Sequence, residues 1–365
     1  IKLKPGDPDT IYAVTSNTLF VSIDAGNTFT NTGFGVGLPT SSGRLVIDVT
    51  ANNPNVLYVL SSLVSGFEYN GVNLSHAFQG LYKSSDSGIN FSTQAIYDYQ
   101  GNGDPKDVGD IFESSQAWFD MALAVSNLDE DEVYTGVLNI WKSTNGGTNF
   151  TKVNNWSSPN SASYSHADIH LLRFYNGALF AGTDGGFYRT TDGGTNFTDL
   201  TAGMQIGQFY RLTVSNESSQ KMVGGLQDNG GFAYNNNNWQ VYYGADGMDT
   251  AIDPLDSDLM FGFIQYGGGL YVSETGGASR EYSISAPDSE TGSNDSGGNW
   301  ITPLVMNRDG ELYAGYSSLY KLCGSSWNQV STSFGNNVNI DVLENSVKEL
   351  ELYLMGDFSF KEISN

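Results

Sequence analysis

Ser22-Ile23-Asp24-Ala25-Gly26-Asn27-Thr28-Phe29 returns three more times along the chain. The copies are Ser84-Ser85-Asp86-Ser87-Gly88-Ile89-Asn90-Phe91, Ser143-Thr144-Asn145-Gly146-Gly147-Thr148-Asn149-Phe150 and Thr190-Thr191-Asp192-Gly193-Gly194-Thr195-Asn196-Phe197. The Asp or Asn, the Gly two places on and the closing Phe keep one spacing throughout. This is turn chemistry: a short carboxylate or amide accepts backbone N–H groups, and Gly takes the positive φ that other residues resist. The closing Phe is expected to anchor each turn in apolar surroundings.

Working outward, an apolar residue followed by an aromatic one precedes every copy: Leu19-Phe20, Leu81-Tyr82, Ile140-Trp141 and Phe187-Tyr188. The same pair returns at Leu270-Tyr271 and Leu319-Tyr320, followed by degraded boxes. A second apolar segment lies upstream of each pair, as in Val56-Leu57-Tyr58-Val59, Val133-Tyr134-Thr135 and Leu312-Tyr313-Ala314-Gly315. Turn signals such as Asn53-Pro54-Asn55 and Asp253-Pro254 come before several of them. Seven such units can be read, each of roughly 35 to 60 residues with about four strands, the size of a propeller blade that buries its sheet faces only against neighbours. The expected fold is all-β: one β-propeller domain over 1–365 with seven four-stranded blades. The tail from Asn339 to Asn365, with Leu352-Tyr353-Leu354 and Phe358-Ser359-Phe360, forms either an incomplete eighth blade or the strands that close the ring.

Composition agrees. The chain has 44 Gly, 21 Tyr and 20 Phe, a pattern of many short strands and tight turns. Its 40 acidic against 16 basic residues leave a net charge of −24, which repels nucleic acid phosphates and anionic lipid. One cysteine, Cys323, excludes an internal disulfide framework. No apolar run reaches the roughly 18 residues of a membrane span, and the opening Ile1-Lys2-Leu3-Lys4-Pro5 reads as a mature or excised start. No nucleic-acid partner and no membrane insertion are expected.

The boxes resemble the Asp-box, or BNR, repeats of sialidases, xyloglucanase-type glycoside hydrolases and sortilin-type receptor domains. The run from His166 through Gly182-Thr183-Asp184-Gly185-Gly186 and Gly224-Gly225-Leu226-Gln227-Asp228-Asn229-Gly230-Gly231 to Asp249 resembles secreted sortilin-like BNR proteins of Bacteroidetes. The resemblance implies an extracellular or cell-surface setting, and the chain is expected to be part of a larger secreted protein. It does not fix a function, because propellers host hydrolases and pure binding proteins alike.

Three groups of candidate site residues follow. Strand alternation puts His166, Asp168 and His170 on one face. Such a set could bind a divalent metal, Ca²⁺ or Zn²⁺, with Asp184 or Asp228 as a further ligand, or form a hydrogen-bonded cluster. Gln227, Asp228 and Asn229 offer the mixed donors and acceptors that sugar hydroxyls need, and Trp239, Tyr242 and Asp246 follow closely. The same Gly-rich loop could equally shape a corner between strands. As a catalytic pair, Asp184 sits in a segment similar to the base-bearing turn of xyloglucanases and Asp228 in one similar to their acid-bearing loop. Here, however, the two fall in adjacent units of one run rather than in opposite propellers. The Arg-Ile-Pro motif of sialidases is absent.

The leading expectation is therefore a propeller that binds polysaccharide or another surface protein without catalysis and without a required cofactor. A xyloglucanase-like hydrolase using paired aspartates is the alternative. Contact is expected at the channel mouth and at long loops, of which two insertions, Ser65 to Gln79 and Asp98 to Gln116, fit that role. Another long loop, Ser285 to Asn299, is polar and Gly-rich enough to be mobile or is simply a flexible blade connection. Asp104, Asp107 and Asp110 of the second insertion are either a Ca²⁺ site or a solvated acidic loop.

Overall fold

The computed structural model describes residues 1–290, 297–335, 338–345, 351–356 and 359–364, with side chains described as far as Leu343. Phe358, the side chains of Leu352, Tyr353, Leu354 and Phe360, and 291–296 of the Ser285 to Asn299 loop lie outside the described residues. The chain is all-β, its described helical turns being two short 3₁₀ segments. Contacts divide it into two compact units, Ile1–Met204 and Gln205–Asn365.

The first unit contains four antiparallel meanders. Lys2–Lys4, Asp7–Val14 and Leu19–Ser22 form a three-stranded sheet. Arg44–Val49, Leu57–Ser62, Phe78–Ser84 and Ser92–Ile96 form the next. Then come Ala122–Val125, Val133–Gly136, Ile140–Ser143 and Thr151–Lys152, and Ile169–Tyr175, Ala178–Thr183, Gly186–Thr190 and Thr198–Asp199. In the second of these sheets Val59 stands opposite Ile47 on one side and Tyr82 on the other. Its inner strand Leu57–Ser62 is buried along its whole length, which explains the continuous apolar run in the sequence. Successive sheets share cores. Tyr58, Leu60, Phe78 and Leu81 pack with Leu123, Val125 and Val133, and Ile140, Ile169, Leu172 and Leu179 form the next layer.

The second unit repeats the plan. Its four-stranded sheets begin at Phe209–Val214, Gly247–Ile252 and Leu304–Met306. Ile340–Asn345, Glu351–Gly356 and Ser359–Ser364 make a three-stranded sheet from the tail. Its largest core joins Met248, Phe261, Phe263 and Leu270 to Leu304, Ala314, Tyr316 and Tyr320.

All four sequence boxes fold to the same turn. Ser22 Oγ accepts the amides of Asp24 and Gly26 at 3.3 and 2.9 Å, and Asp24 Oδ1 accepts the Thr28 amide at 2.8 Å. Ser84 with Asp86, Ser143 with Asn145 and Thr190 with Asp192 repeat the pattern. Gly26, Gly88, Gly147 and Gly194 all lie near φ +90°, at +87°, +87°, +87° and +92°, where a side chain is strained. The degraded box at 273–280 keeps the turn: Ser273 Oγ accepts the Gly277 amide at 2.9 Å, and the Thr275 hydroxyl takes the place of the carboxylate by accepting the Ser279 amide at 3.0 Å. After Leu319-Tyr320 the box is lost, and Cys323 pairs directly with Ser326 across a tight turn. The closing rings differ from expectation at one place. Phe91 is buried and Phe150 and Phe197 are partly buried against cores, but Phe29 is exposed.

Candidate functional site

The two insertions expected to make contact fold against each other. Within the first, Glu68–Tyr69 pairs with Val72–Asn73 across an Asn70-Gly71 turn with positive φ at both positions, the dipeptide such hairpins favour. Within the second, the acidic side chains hold the loop's own backbone. Asp98 Oδ2 accepts the Gly103 amide at 2.8 Å, Asp104 Oδ1 the Lys106 amide at 2.9 Å, and Asp107 Oδ1 the amides of Asp98 and Gly109, both at 2.9 Å. Asp110 Oδ1 accepts the amides of Phe78 and Phe112 at 3.0 and 3.1 Å. Asp104 and Asp107 are exposed, as the solvated-loop alternative has it, and Asp110 is partly buried; all three accept backbone amides and form turns, and they are not among the described residues whose carboxylates converge. Between the insertions the Tyr99 ring meets Phe67 at 5.1 Å and Tyr69 at 5.4 Å, both edge-on, contacts worth about 0.5–1.5 kcal/mol each beyond the area they bury. Ile111, Phe112 and Met121 sink into the core beneath, with Phe112 edge-on to Phe78 at 5.3 Å.

This packing leaves an open cleft of about 500 Å³ lined by Ser65, Asn73, Ser75, His76, Ser115 and Trp118. Its floor is fixed by Asn73 Oδ1, which accepts the Ser75 amide at 2.9 Å, and by Ser75 Oγ, which accepts the Gly66 amide at 3.0 Å. His76 adopts φ +59°, and burial lowers its pKa, so the imidazole is neutral near pH 7. At the rim, Trp118 and Phe119 are 62% and 55% exposed, with ring centroids 5.4 Å apart. Their turn is held from behind. The Gln116 carbonyl accepts the amides of Phe119 and Asp120 at 2.8 and 3.2 Å, and Arg44 Nη1 donates to the Phe119 carbonyl at 2.6 Å. Sequence reasoning stopped two residues short of Trp118. The signal it passed over is the adjacent Trp118-Phe119 pair, which belongs to no strand alternation.

Behind that turn, still in the first unit, stands a group of carboxylates. Asp120 is wholly buried, and neither of its oxygens meets a donor from another residue. Burial, and then the charges of Asp168 and Asp184, push its pKa up to about 8, so at neutral pH it keeps its proton. Asp168 is itself pushed up, first by burial and then by Asp184; oxygens of these two residues lie within 4.8 Å of each other. Asp168 Oδ1 accepts from Gln116 Nε2 at 3.2 Å, and Asp184 Oδ1 is bonded to His170 Nε2 at 2.5 Å. The His170 ring stands edge-on to Phe119 at 4.9 Å.

The expected one-faced row of His166, Asp168 and His170 is corrected here. The strand begins only at Ile169, Asp168 turns at φ +61° just before it, and a bulge interrupts the pairing between Ile169 and Leu171. Alternation therefore does not apply. His166 Nδ1 lies 3.2 Å from the Ala167 carbonyl, and the ring fills the space where a side chain at Gly185 would be.

In the second unit, Gln227, Asp228 and Asn229 form the corner between Lys221–Leu226 and Gly230–Asn235. Asp228, at φ +59°, donates its amide to Asp246 Oδ1 at 2.8 Å, and Asn229 Nδ2 donates to the Gln227 carbonyl at 2.9 Å. These bonds match the corner-shaping alternative. Trp239 is exposed and packs against Phe209 and Tyr234, with centroids at 5.6 and 5.1 Å. Tyr242 is a correction: it is buried in the core with Val223, Tyr243 and Met260 and cannot serve as a sugar platform. Asp184 belongs to the first unit and Asp228 to the second. In the loop from Ser285 to Asn299 the part before the undescribed 291–296 is anchored, since Glu290 accepts from Ser317 and Tyr320 at 2.7 and 2.8 Å.

No protein-family profile and no curated protein matches the sequence. Among solved structures, the chain is similar to the GH74 enzyme of Niastella koreensis, with a TM-score of 0.53 and 15% identity over 97% of this chain and 53% of that one. It is also similar to the GH74 xyloglucanase from Xanthomonas campestris, with a TM-score of 0.37 and 13% identity over 96% and 57% of the two chains. A third similarity is to PorZ, a surface component of the type-IX secretion system of Porphyromonas gingivalis, with a TM-score of 0.45 and 13% identity over 96% and 44%. The chain thus spans about half the length of these proteins. The likeness to the Niastella protein shows the fold, a β-propeller. No helix among the described residues is long and apolar enough to cross a membrane.

Proposed function

We propose that this chain is an extracellular or cell-surface β-propeller of the sortilin-like BNR type, its four boxes Asp-box hairpins, that recognises a polysaccharide or another surface protein without catalysing a reaction. The observation that carries this reading is the cleft between the two insertions, with Trp118 held exposed at its rim by Arg44 and Gln116. An aromatic fixed in an exposed position by a braced turn binds with little ordering cost, which favours recognition.

Asp120 is not available as a general acid for the hydrolase alternative. A general acid must reach the leaving group, and Asp120, whose pKa is pushed up to about 8, is wholly buried. Asp184, the expected base, is engaged by His170. No cofactor is required for binding of this kind. The fold is shared with glycoside hydrolases, so the test is direct: purified protein is incubated with a panel of polysaccharides and reducing ends are assayed, while binding to the same polysaccharides and to purified surface proteins is measured in parallel. Binding without release is the expected result. Release that is abolished by Asp184→Asn or Asp228→Asn would replace this reading with the hydrolase.

A further inference from the structure

The six residues that line the insertion cleft have one feature in common: none carries a charge at neutral pH. Ser65, Ser75 and Ser115 supply hydroxyls, Asn73 an amide, His76 a neutral imidazole and Trp118 an indole face. The cleft's volume of about 500 Å³ falls in the usual range of small-ligand sites, about 300–1,000 Å³. It is open to solvent along one side, as entry of a chain rather than a capped small molecule requires. The surrounding protein carries a net charge of −24, a field that works against uronates, sulfated glycans and acidic peptides.

We infer that the cleft between the two insertions is a binding subsite for a neutral polysaccharide, with one pyranose ring stacked on Trp118 and its hydroxyls meeting Ser65, Asn73, Ser75, His76 and Ser115. This rests on the recognition reading above and narrows it to one ligand class. The apolar face of a pyranose matches an indole, and its hydroxyls each donate and accept, as the serine, amide and imidazole groups do. A charged peptide partner would need an opposite charge to pair with, and this lining carries none. Preorganisation is built in on both sides. The floor is tied by the Gly66, Asn73 and Ser75 bonds, and the rim is anchored in the core through Ile111, Phe112 and Met121.

The experiment is affinity electrophoresis of the whole chain in gels containing hydroxyethylcellulose or galactomannan as neutral probes and polygalacturonate or alginate as acidic ones. Wild type is compared with Trp118→Ala, Trp118→Phe and, as an exposed aromatic away from the cleft, Trp156→Ala. Thermal melting confirms that each variant is folded. The inference expects retardation in at least one neutral gel and none in the acidic gels. Trp118→Ala should weaken it by about tenfold or more, equivalent to about 1.4 kcal/mol. Trp118→Phe should retain part of the binding and Trp156→Ala all of it. Retardation by acidic probes only, neutral retardation untouched by Trp118→Ala, or no retardation in any gel would each overturn the inference. Release of reducing ends on the same samples would instead overturn the recognition reading, so the two failures are told apart.

Discussion

Gln116 Nε2 donates to Asp168 Oδ1 at 3.2 Å, and this bond links the turn that carries Trp118 to the carboxylate group behind it. The same Gln116 accepts the amides of Phe119 and Asp120 through its carbonyl. Replacing Gln116 by Ala should leave the backbone bonds in place and remove the side-chain tie, at a cost of about 1 kcal/mol for a lost hydrogen bond of this kind. Thermal melting should show the loss, and binding in the neutral gels should weaken as the Trp118 turn loosens. Unchanged melting and binding would show that the tie positions nothing.

Asp120 predicts a particular dependence on pH. Its folded-state pKa is raised to about 8, so between the ordinary carboxylate range and pH 8 the folded protein holds a proton that the unfolded chain has released. Stability must therefore fall as pH rises through that window, with a slope approaching about 1.4 kcal/mol per pH unit from this one group. Asp168, also raised, adds to the slope in the same direction. Asp120→Asn, which mimics the protonated acid, should be flatter than wild type between pH 5 and 8. Equal slopes for the two proteins in denaturant titrations would contradict a protonated Asp120 in the folded protein.

The boxes give the opposite sign. Hydrogen bonds from the Thr28 hydroxyl and amide hold the Asp24 carboxyl down to about 2. Its contribution is complete above the ordinary carboxylate range and is lost as pH falls from about 4 to about 2. Asp24→Asn should remove that acid sensitivity and keep the turn's amide bond, because Asn145 Oδ1 already accepts the matching amide in the third box, while the bond from the Thr28 hydroxyl to Asp24 Oδ2 is lost. Ser84→Ala is the damaging change. Ser84 is buried, and its Oγ accepts the amides of Asp86 and Gly88, so the substitution leaves donors unpaired at about 1–3 kcal/mol. Melting of the two variants side by side checks both statements.

A methyl group at Gly185 would lie 2.1 Å from carbons of the His166 ring. Gly185→Ala should therefore expel the ring and destabilise the first unit by about 1–3 kcal/mol, the usual cost of overpacking. If His166 were free to move, the substitution would be neutral in a melting experiment.

The turns and strands were legible in the sequence because both are local. Asp, Asn and Gly at fixed spacing specify the box without help from the rest of the fold, and Thr275 shows the geometry surviving where the pattern fades. The site was less legible for reasons visible at single residues. The positive φ of Asp168 breaks the alternation that would have aligned it with His166 and His170, and a one-residue kink of that kind leaves no periodic trace. Tyr242 and Trp239 both lie in Asn238–Tyr243. One is buried and the other exposed, a difference set by the neighbouring strands rather than by residue type. Trp118 owes its place to Arg44, 74 positions earlier in the chain, and to the core beneath Phe112, contacts that only the folded chain brings together.

The most direct test of the recognition account is hydrogen–deuterium exchange of the whole protein with and without the neutral polysaccharide that retards it most. The account predicts slowed exchange confined to the two insertions, at 65–79 and 114–120, with the box turns unchanged. Protection at Gln227, Asp228, Asn229 and around Trp239, with none at the insertions, would contradict it and move the contact surface to the second unit.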